Sequence, residues 1–172
     1  MGFSLKRTVK KIKRKLVNKL VSEDFFIQIK GYCPICERHR TFTATMTNLR
    51  ETLDCPKCKS VSRERALMLV INKYYPQWRE LKIHESSPGY RGVSRILKNE
   101  CKDYTASHYY PNHEFGILVD GYRNENLENM TFENDSFDLI VTQDVMEHIY
   151  APAKAFREIA RTLKKGGANI FT

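Results

Sequence analysis

The chain has 172 residues, 41% hydrophobic and 28% charged, which is enough for one ordinary core and one small module and excludes a disordered tail. No apolar run of about 18 residues occurs and the lysine-rich start lacks the apolar segment of a secretory signal, so we expect a cytoplasmic protein without a transmembrane helix. The formal net charge is +9, but residues 1–20 hold eight of the 29 basic side chains and no acidic one. The remaining chain is almost neutral, so the charge does not imply a protein-wide nucleic-acid surface.

The first predicted element is a basic amphipathic helix over residues 1–25. Its apolar residues recur at spacings of three and four, with lysines and arginines on the other face. These apolar residues are Leu5, Val9, Ile12, Leu16 and Leu20. Two interpretations stay open: the helix docks its apolar stripe on the rest of the protein, or it binds an anionic surface. That surface is the inner membrane, to which the protein is then peripheral, a polyanionic saccharide, or RNA.

Residues 26–61 are predicted to form a zinc ribbon. The segments CPIC and CPKC lie 18 residues apart and supply Cys33, Cys36, Cys55 and Cys58. In a chain without an export signal this spacing favours a metal site over disulfides, with each CPxC forming a knuckle at a hairpin tip. Four thiolates complete a closed tetrahedron, so we expect a structural Zn²⁺ and no ligand role for His39. Arg40 to Thr47 alternates like a strand.

From residue 62 the pattern changes to alternating helices and strands. A linking helix over 62–76 ends at Pro76 and is followed by a predicted α/β domain over 77–172. The predicted strands are 81–85, 104–107, 117–120, 137–142 and one that begins at 168, and the predicted helices are 93–99 and one from Pro152 that Gly166 and Gly167 end. This alternation predicts a Rossmann-like parallel sheet with crossover helices.

The last third of the chain resembles a known family. The segments FENDSFDLIVTQDVMEHI and PAKAFREIARTLKKGGANIFT are similar to the region of the fourth and fifth strands in class I S-adenosylmethionine-dependent methyltransferases, in the type 11 branch. The resemblance covers about 45 residues and implies a methyltransferase core behind the zinc ribbon. The complete family fold has two further strands, so the resemblance also implies a C-terminally truncated core that ends in strand five.

The resemblance implies a site for S-adenosylmethionine at the strand ends. The family's first strand ends in an acidic residue and a GxGxG turn, where this chain reads HESSPGYRG. His108 stands in place of the acidic ribose partner, and Asn126 and Leu127 stand at the adenine-binding step. The implied cofactor-binding residues are Glu85, Ser86, Gly89, His108, Asn126, Leu127 and Gln143. For His108 the alternative is an ordinary surface loop residue.

Asp144 and His148 are the candidate catalytic residues, because they follow the fourth strand at the edge where such folds bind ligands. Either could orient or deprotonate a substrate hydroxyl or amine. The alternative for His148 is a capping and loop-bracing role. The sequence thus predicts methyl transfer to an unidentified saccharide or small molecule. Two other functions stay open: methylation of RNA held by the ribbon, and a non-catalytic zinc-bearing platform with a vestigial methyltransferase fold.

Overall fold

The computed structural model describes residues 25–172 and divides the chain into two compact units, with the boundary between Ser62 and Arg63. The predicted basic helix at the N terminus lies outside the described residues. Among the helices of residues 25–172, none is long and apolar enough to cross a membrane.

The first unit is built on an antiparallel hairpin. Strand β1 (Ile27–Cys33) pairs with β2 (Arg38–Ala44), and a short helix α1 (Leu49–Thr52) follows. The strand predicted from Arg40 begins two residues earlier and ends at Ala44, because residues 45–47 bend away from the strand. Alternation along β2 buries Phe42 and Ala44, as expected for a strand with one covered face.

The second unit is a six-stranded sheet with helices, which confirms the predicted α/β class. Its sheet has the order β5-β6-β4-β3-β7-β8, and all neighbouring pairs are parallel except β5 with β6. The strands are β3 (Lys82–Ser86), β4 (Asp103–His108), β5 (Leu118–Val119), β6 (Tyr122–Asn124), β7 (Phe137–Thr142) and β8 (Leu163–Phe171). The helices are α2 (Ser62–Tyr74), α3 (Gly92–Glu100) and α4 (Pro152–Thr162), with short 3₁₀ turns at Trp78–Glu80 and Met146–His148.

The short strand predicted over 117–120 is present as Leu118–Val119, but it is antiparallel and not the third parallel strand of the sheet. Asp120 and Gly121 both have positive φ, 52° and 82°, and form a two-residue turn that pairs Val119 with Tyr122. Asp-Gly is a favoured sequence for such hairpin turns, because both central residues must adopt a left-handed conformation. Leu118–Val119 therefore runs antiparallel at the sheet edge, and Tyr122–Asn124 is the third parallel strand.

The predicted end of the last helix is also wrong. Helix α4 stops at Thr162, before the two glycines, because Leu163 already pairs with Phe137 in the sheet. Residues 164–167 then form an irregular segment inside β8, and regular pairing resumes at Ala168. The predicted apolar face of α4 is only partly buried, since the Phe156 side chain stays 43% exposed.

The interior strands β3 and β7 are almost fully buried, as parallel strands covered on both faces usually are. One hydrophobic cluster joins the sheet to α4 and consists of Leu127, Met130, Phe137, Ile140, Val145, Ala155 and Ile159. Polar side chains at the carboxyl ends of β3 and β7 lie at the edge where open α/β sheets bind ligands. The core thus provides a rigid base for that edge.

Candidate metal centre and candidate binding site

The four cysteines of the two CPxC segments lie together in the first unit. Their sulfur atoms are all within 4.8 Å of one another, with Sγ to Sγ distances of 3.8 Å for Cys33 to Cys58 and for Cys36 to Cys55. A disulfide has an S–S distance of about 2.05 Å, so the cysteines are not paired covalently. Four sulfurs at about 2.3 Å from a tetrahedral Zn²⁺ are about 3.8 Å apart. The observed spacing fits a zinc ion.

Both knuckles have the same backbone feature. The residue after the second cysteine adopts a left-handed conformation in each, with φ of 53° at Glu37 and 59° at Lys59. In the second knuckle the Lys59 N–H donates to the carbonyl of Cys55 at 3.0 Å, and the Cys55 N–H donates to the carbonyl of Ser60 at 2.9 Å. These bonds close a tight reversal that turns both sulfurs of the pair to the same side.

The thiol pKa values of the cluster are shifted in opposite directions. Burial, followed by the neighbouring Cys58, raises the pKa of the Cys36 thiol to about 12. Burial also acts to raise the pKa of Cys55, but N–H donors of Cys58 and Lys57 lower it to about 7. A metal ion binds the thiolate form and displaces such protons. The soft four-thiolate set suits Zn²⁺ and leaves no open coordination position, so the cluster could hold a structural zinc.

A second polar cluster surrounds Glu85, near the carboxyl end of β3. The Glu85 side chain is fully buried, and its Oε1 accepts hydrogen bonds from Ser94 Oγ at 2.6 Å and Gln143 Nε2 at 2.8 Å. Its Oε2 accepts from the Tyr104 hydroxyl at 2.7 Å. Burial raises the pKa of Glu85, although all three donors oppose this. The structure thus brings together the predicted Glu85 and Gln143, and it adds Ser94 and Tyr104, which no sequence motif indicated.

The loop between β3 and α3 is attached to this cluster through Ser94. The Ser94 hydroxyl, which donates to Glu85, also accepts the N–H of Gly89 at 3.1 Å. Earlier in the loop Ser87 has a φ of 52°, a conformation that glycine adopts more readily. Ser86, which the family resemblance implies as a cofactor-binding residue, is the last residue of β3 and directly precedes Ser87. Its cofactor-binding role stays a prediction.

Gly89 of this loop and Gly92 at the start of α3 differ in what surrounds the position that a Cβ would occupy. A Cβ built on Gly92, where φ is 55°, would lie 2.4 Å from Glu64 Oε1, so a larger residue there would strain the backbone and displace the buried Glu64 carboxyl. A Cβ on Gly89 would meet only Ser94 Oγ, at 3.8 Å. The space beside Gly89 is therefore open to close approach by a ligand. This is a feature that the predicted methyl donor needs at its methionine end.

The three predicted residues beyond β4 and β6 have different surroundings. His108 ends β4 with its ring 4.3 Å from that of Tyr122, and burial lowers its pKa, which favours the neutral imidazole. The Asn126 side-chain oxygen accepts the N–H of Glu128 at 2.9 Å. Leu127 is 4% exposed and packs in the hydrophobic cluster. The donor-binding roles of these three residues stay predictions.

Asp144 and His148 are not equivalent in the structure. Asp144 follows β7 with a φ of 50°, and its Oδ2 lies 2.8 Å from Nη2 of Arg63. His148 belongs to an exposed 3₁₀ turn, where its N–H donates to the carbonyl of Val145. The structure therefore connects Asp144 to the Glu85 cluster, through Arg63 and Gln143, and leaves His148 at the surface. Their catalytic roles stay predictions.

Comparison with known proteins agrees with this architecture. Residues 90–171 match the family model described as a methyltransferase domain, and no curated protein sequence matches the chain. A candidate methyltransferase of Bacillus halodurans is 20% identical, with a TM-score of 0.51, and the alignment covers 64% of this chain and 50% of that one. A protein of Pyrococcus horikoshii is also 20% identical, with a TM-score of 0.51 and coverage of 64% and 56%.

The YcgJ protein of Bacillus subtilis is 19% identical, with a TM-score of 0.50 and coverage of 62% of this chain and 49% of that one. This chain thus spans about half the length of these three proteins. The parallel strands, numbered among themselves in chain order, have the order 3-2-1-4-5 of doubly wound folds. The match of residues 90–171 and the shared fold confirm the resemblance of the second unit to class I methyltransferases.

Proposed function

We propose that this protein transfers a methyl group from S-adenosylmethionine to an acceptor, with the donor bound at the carboxyl ends of β3, β4 and β7. The observation that carries the proposal is the open space beside Gly89, next to a loop that Ser94 and the buried Glu85 hold in place. A fixed loop with a bare backbone is suited to a ligand that must lie against the main chain. The family match of residues 90–171 supports the same reaction.

We assign each part of the donor to a different group of residues at this sheet edge. The backbone of Ser86 and Gly89 lies along the methionine part of the donor. The neutral His108 accepts a hydrogen bond from a ribose hydroxyl group. Asn126 and Leu127 border the adenine. Glu85 acts through Ser94 and Gln143, because hydrogen bonds within the protein already engage both of its oxygens. The donor's sulfonium supplies an electrophilic methyl group, and the protein contributes mainly orientation.

For the acceptor we propose a saccharide or small molecule with a hydroxyl or amine group. Asp144 and His148 flank the end of β7, and a carboxylate held by Arg63 can accept a hydrogen bond from such a group. This choice is tested by incubating the protein and S-adenosylmethionine with a panel of acceptors: sugars, small amines and RNA oligonucleotides. The measurement is the formation of S-adenosylhomocysteine with each acceptor. Turnover with RNA alone would replace the saccharide proposal by RNA methylation.

Calorimetric titration with S-adenosylmethionine tests the donor site. We expect wild type to bind, and Gly89→Val to weaken binding by more than about tenfold, about 1.4 kcal/mol, because the new side chain fills the open space. Gly121→Asn is the matched control. It lies in the β5-β6 turn with nothing within 4 Å of its Cβ position, and asparagine tolerates its positive φ, so binding should not change.

The titration has two opposing outcomes. No heat with wild type at millimolar donor, in a sample whose Trp78 fluorescence shows a folded second unit, would favour the non-catalytic platform. Equal affinity of wild type and Gly89→Val would show that the donor does not bind beside this loop.

We further propose that the four cysteines hold a structural Zn²⁺, because the distances between their sulfurs match a zinc tetrahedron.

A further inference from the structure

Arg63 is an unassigned residue next to the proposed donor site. It stands at the second position of α2, in no motif that the sequence singled out, and its side chain is 17% exposed. Its Nη2 lies 2.8 Å from Asp144 Oδ2, and its Nη1 donates to Gln143 Oε1 at 3.4 Å. One guanidinium thus contacts two neighbouring residues at the end of β7.

The Gln143 amide has one orientation that suits both Arg63 and Glu85. An amide has one end that accepts hydrogen bonds and one end that donates them, whereas arginine only donates. With Oε1 facing Arg63, Nε2 faces Glu85 Oε1 at 2.8 Å and Ser94 Oγ at 3.2 Å. The flipped amide would direct its oxygen at the Glu85 carboxyl and its N–H groups at the guanidinium. Arg63 therefore favours, together with Glu85, the orientation in which Gln143 donates to Glu85.

The hydrogen bonds continue from Glu85 to the loop. Ser94 donates to Glu85 at 2.6 Å and accepts the Gly89 N–H at 3.1 Å. A continuous series of contacts thus leads from Asp144 through Arg63, Gln143, Glu85 and Ser94 to the backbone beside the open space. Because neighbouring members of the series share donors and acceptors, we expect loss of the first cation to affect the order of the last amide.

We propose that Arg63 is a positioning residue of the donor site, which fixes the Gln143 amide and through it the loop of Gly89. The inference rests on the proposed function for the identity of the ligand, but the coupling itself concerns the protein alone. Lysine at this position could pair with Asp144 as a point charge, but it lacks the planar fork that serves Asp144 and Gln143 together. Arg63→Lys should therefore retain part of the effect.

Hydrogen exchange of residues 86–94 in the ligand-free protein tests the coupling. We expect about tenfold faster exchange in Arg63→Ala, a smaller increase in Arg63→Lys, and wild-type exchange in the control Arg79→Ala. Arg79 also pairs with a carboxylate, that of Glu100 at 2.6 Å, but it lies just before β3, away from its carboxyl end. Unchanged exchange in both Arg63 variants would overturn the proposal. If Arg63→Ala does not fold, Arg63→Lys still provides the test.

Titration with S-adenosylhomocysteine gives the second readout. We expect Arg63→Ala to bind about tenfold more weakly than wild type, and the double variant with Gln143→Ala to bind no more weakly than Gln143→Ala alone. Additive losses would show that Arg63 does not act through Gln143 and would overturn the proposal. Wild type that binds no ligand while loop exchange responds to Arg63 would refute the proposed function and leave the coupling intact. Wild type that binds as Arg63→Ala does would refute only the role of Arg63.

Discussion

The two units of this protein are stabilised in different ways. In the first unit the cysteines are themselves a large part of the interior: Cys33, Cys55 and Cys58 are at most 3% exposed, beside a few apolar residues such as Phe42 and Val61. In the second unit large side chains such as Trp78, Phe137 and Leu139 are at most 1% exposed. A small module with so little apolar burial would depend on the proposed zinc, whereas the sheet depends on packing. Loss of the metal site should therefore destabilise the first unit and leave the second unit folded.

The largest effect is expected from loss of the metal site. Wild type should carry about one zinc per chain, and Cys33→Ser with Cys55→Ser should lose it, because structural zinc contributes on the order of 10 kcal/mol to such modules. Elemental analysis and limited proteolysis measure the loss and the expected cleavage within residues 25–62. Cys101→Ser is the control. Cys101 lies outside the cluster, donates to the Leu81 carbonyl at 3.2 Å, and should keep the zinc.

The fluorescence of Trp78 sharpens this comparison. Trp78 is the single tryptophan of the chain and is fully buried in the second unit, so it reports on that unit alone. We expect its emission to stay native-like in the double serine variant. A zinc-free wild type that resists protease, or a double variant that loses the native Trp78 emission, would contradict the different origins of stability.

The next effect concerns two left-handed glycines of the second unit. Gly92→Ala should destabilise it by about 3 kcal/mol, because φ is 55° and the new Cβ would lie 2.4 Å from Glu64 Oε1. Gly121→Ala should cost only about 1 kcal/mol, because φ is 82° but nothing lies within 4 Å. Urea unfolding followed by Trp78 emission measures both. Equal losses of unfolding free energy in the two variants would show that the Glu64 side chain moves away from the new Cβ at no cost.

A smaller effect should appear with acid. Burial, and secondly the charge of Arg123, lowers the pKa of His84 to about 3, against about 6.5 when unfolded. The unfolded chain then binds a proton that the folded chain does not, so His84 contributes stability above pH 6.5 that is lost as pH falls toward 3. Between pH 7 and pH 5 the loss is about 2 kcal/mol. His84→Gln should remove this part of the slope, and an identical slope in both proteins would contradict the assignment.

The same difference explains what could be predicted from the sequence. Metal ligands must be particular residues at particular spacings, so CPIC and CPKC identified the four cysteines, and the structure brings them together. Buried strands show as apolar runs, so β7 was predicted with its observed bounds, Phe137–Thr142. The α/β class followed from the alternation of such runs with helical periods.

The errors arose where tertiary pairing decided between local alternatives. The apolar run at 117–120 suggested a strand of its own, but the Asp120-Gly121 turn folds it back along Tyr122. Helix α4 could have continued to Gly166, but Leu163 pairs with Phe137 instead. The sequence did not predict the contacts of Arg63, Ser94 and Tyr104, because single polar residues far apart in sequence have no periodic or motif signal. Only the fold brings them to Glu85 and Gln143.

The most direct test of the central claim is a crystal structure of the full chain with saturating S-adenosylhomocysteine. We predict ligand density along the backbone of Gly89, with the ribose beside His108 and the adenine toward Asn126, and with the hydrogen bonds of Glu85 to Ser94, Tyr104 and Gln143 retained. Density at another surface, or a ligand-free edge in crystals of a protein that binds the compound in solution, would contradict the assignment of this edge as the donor site.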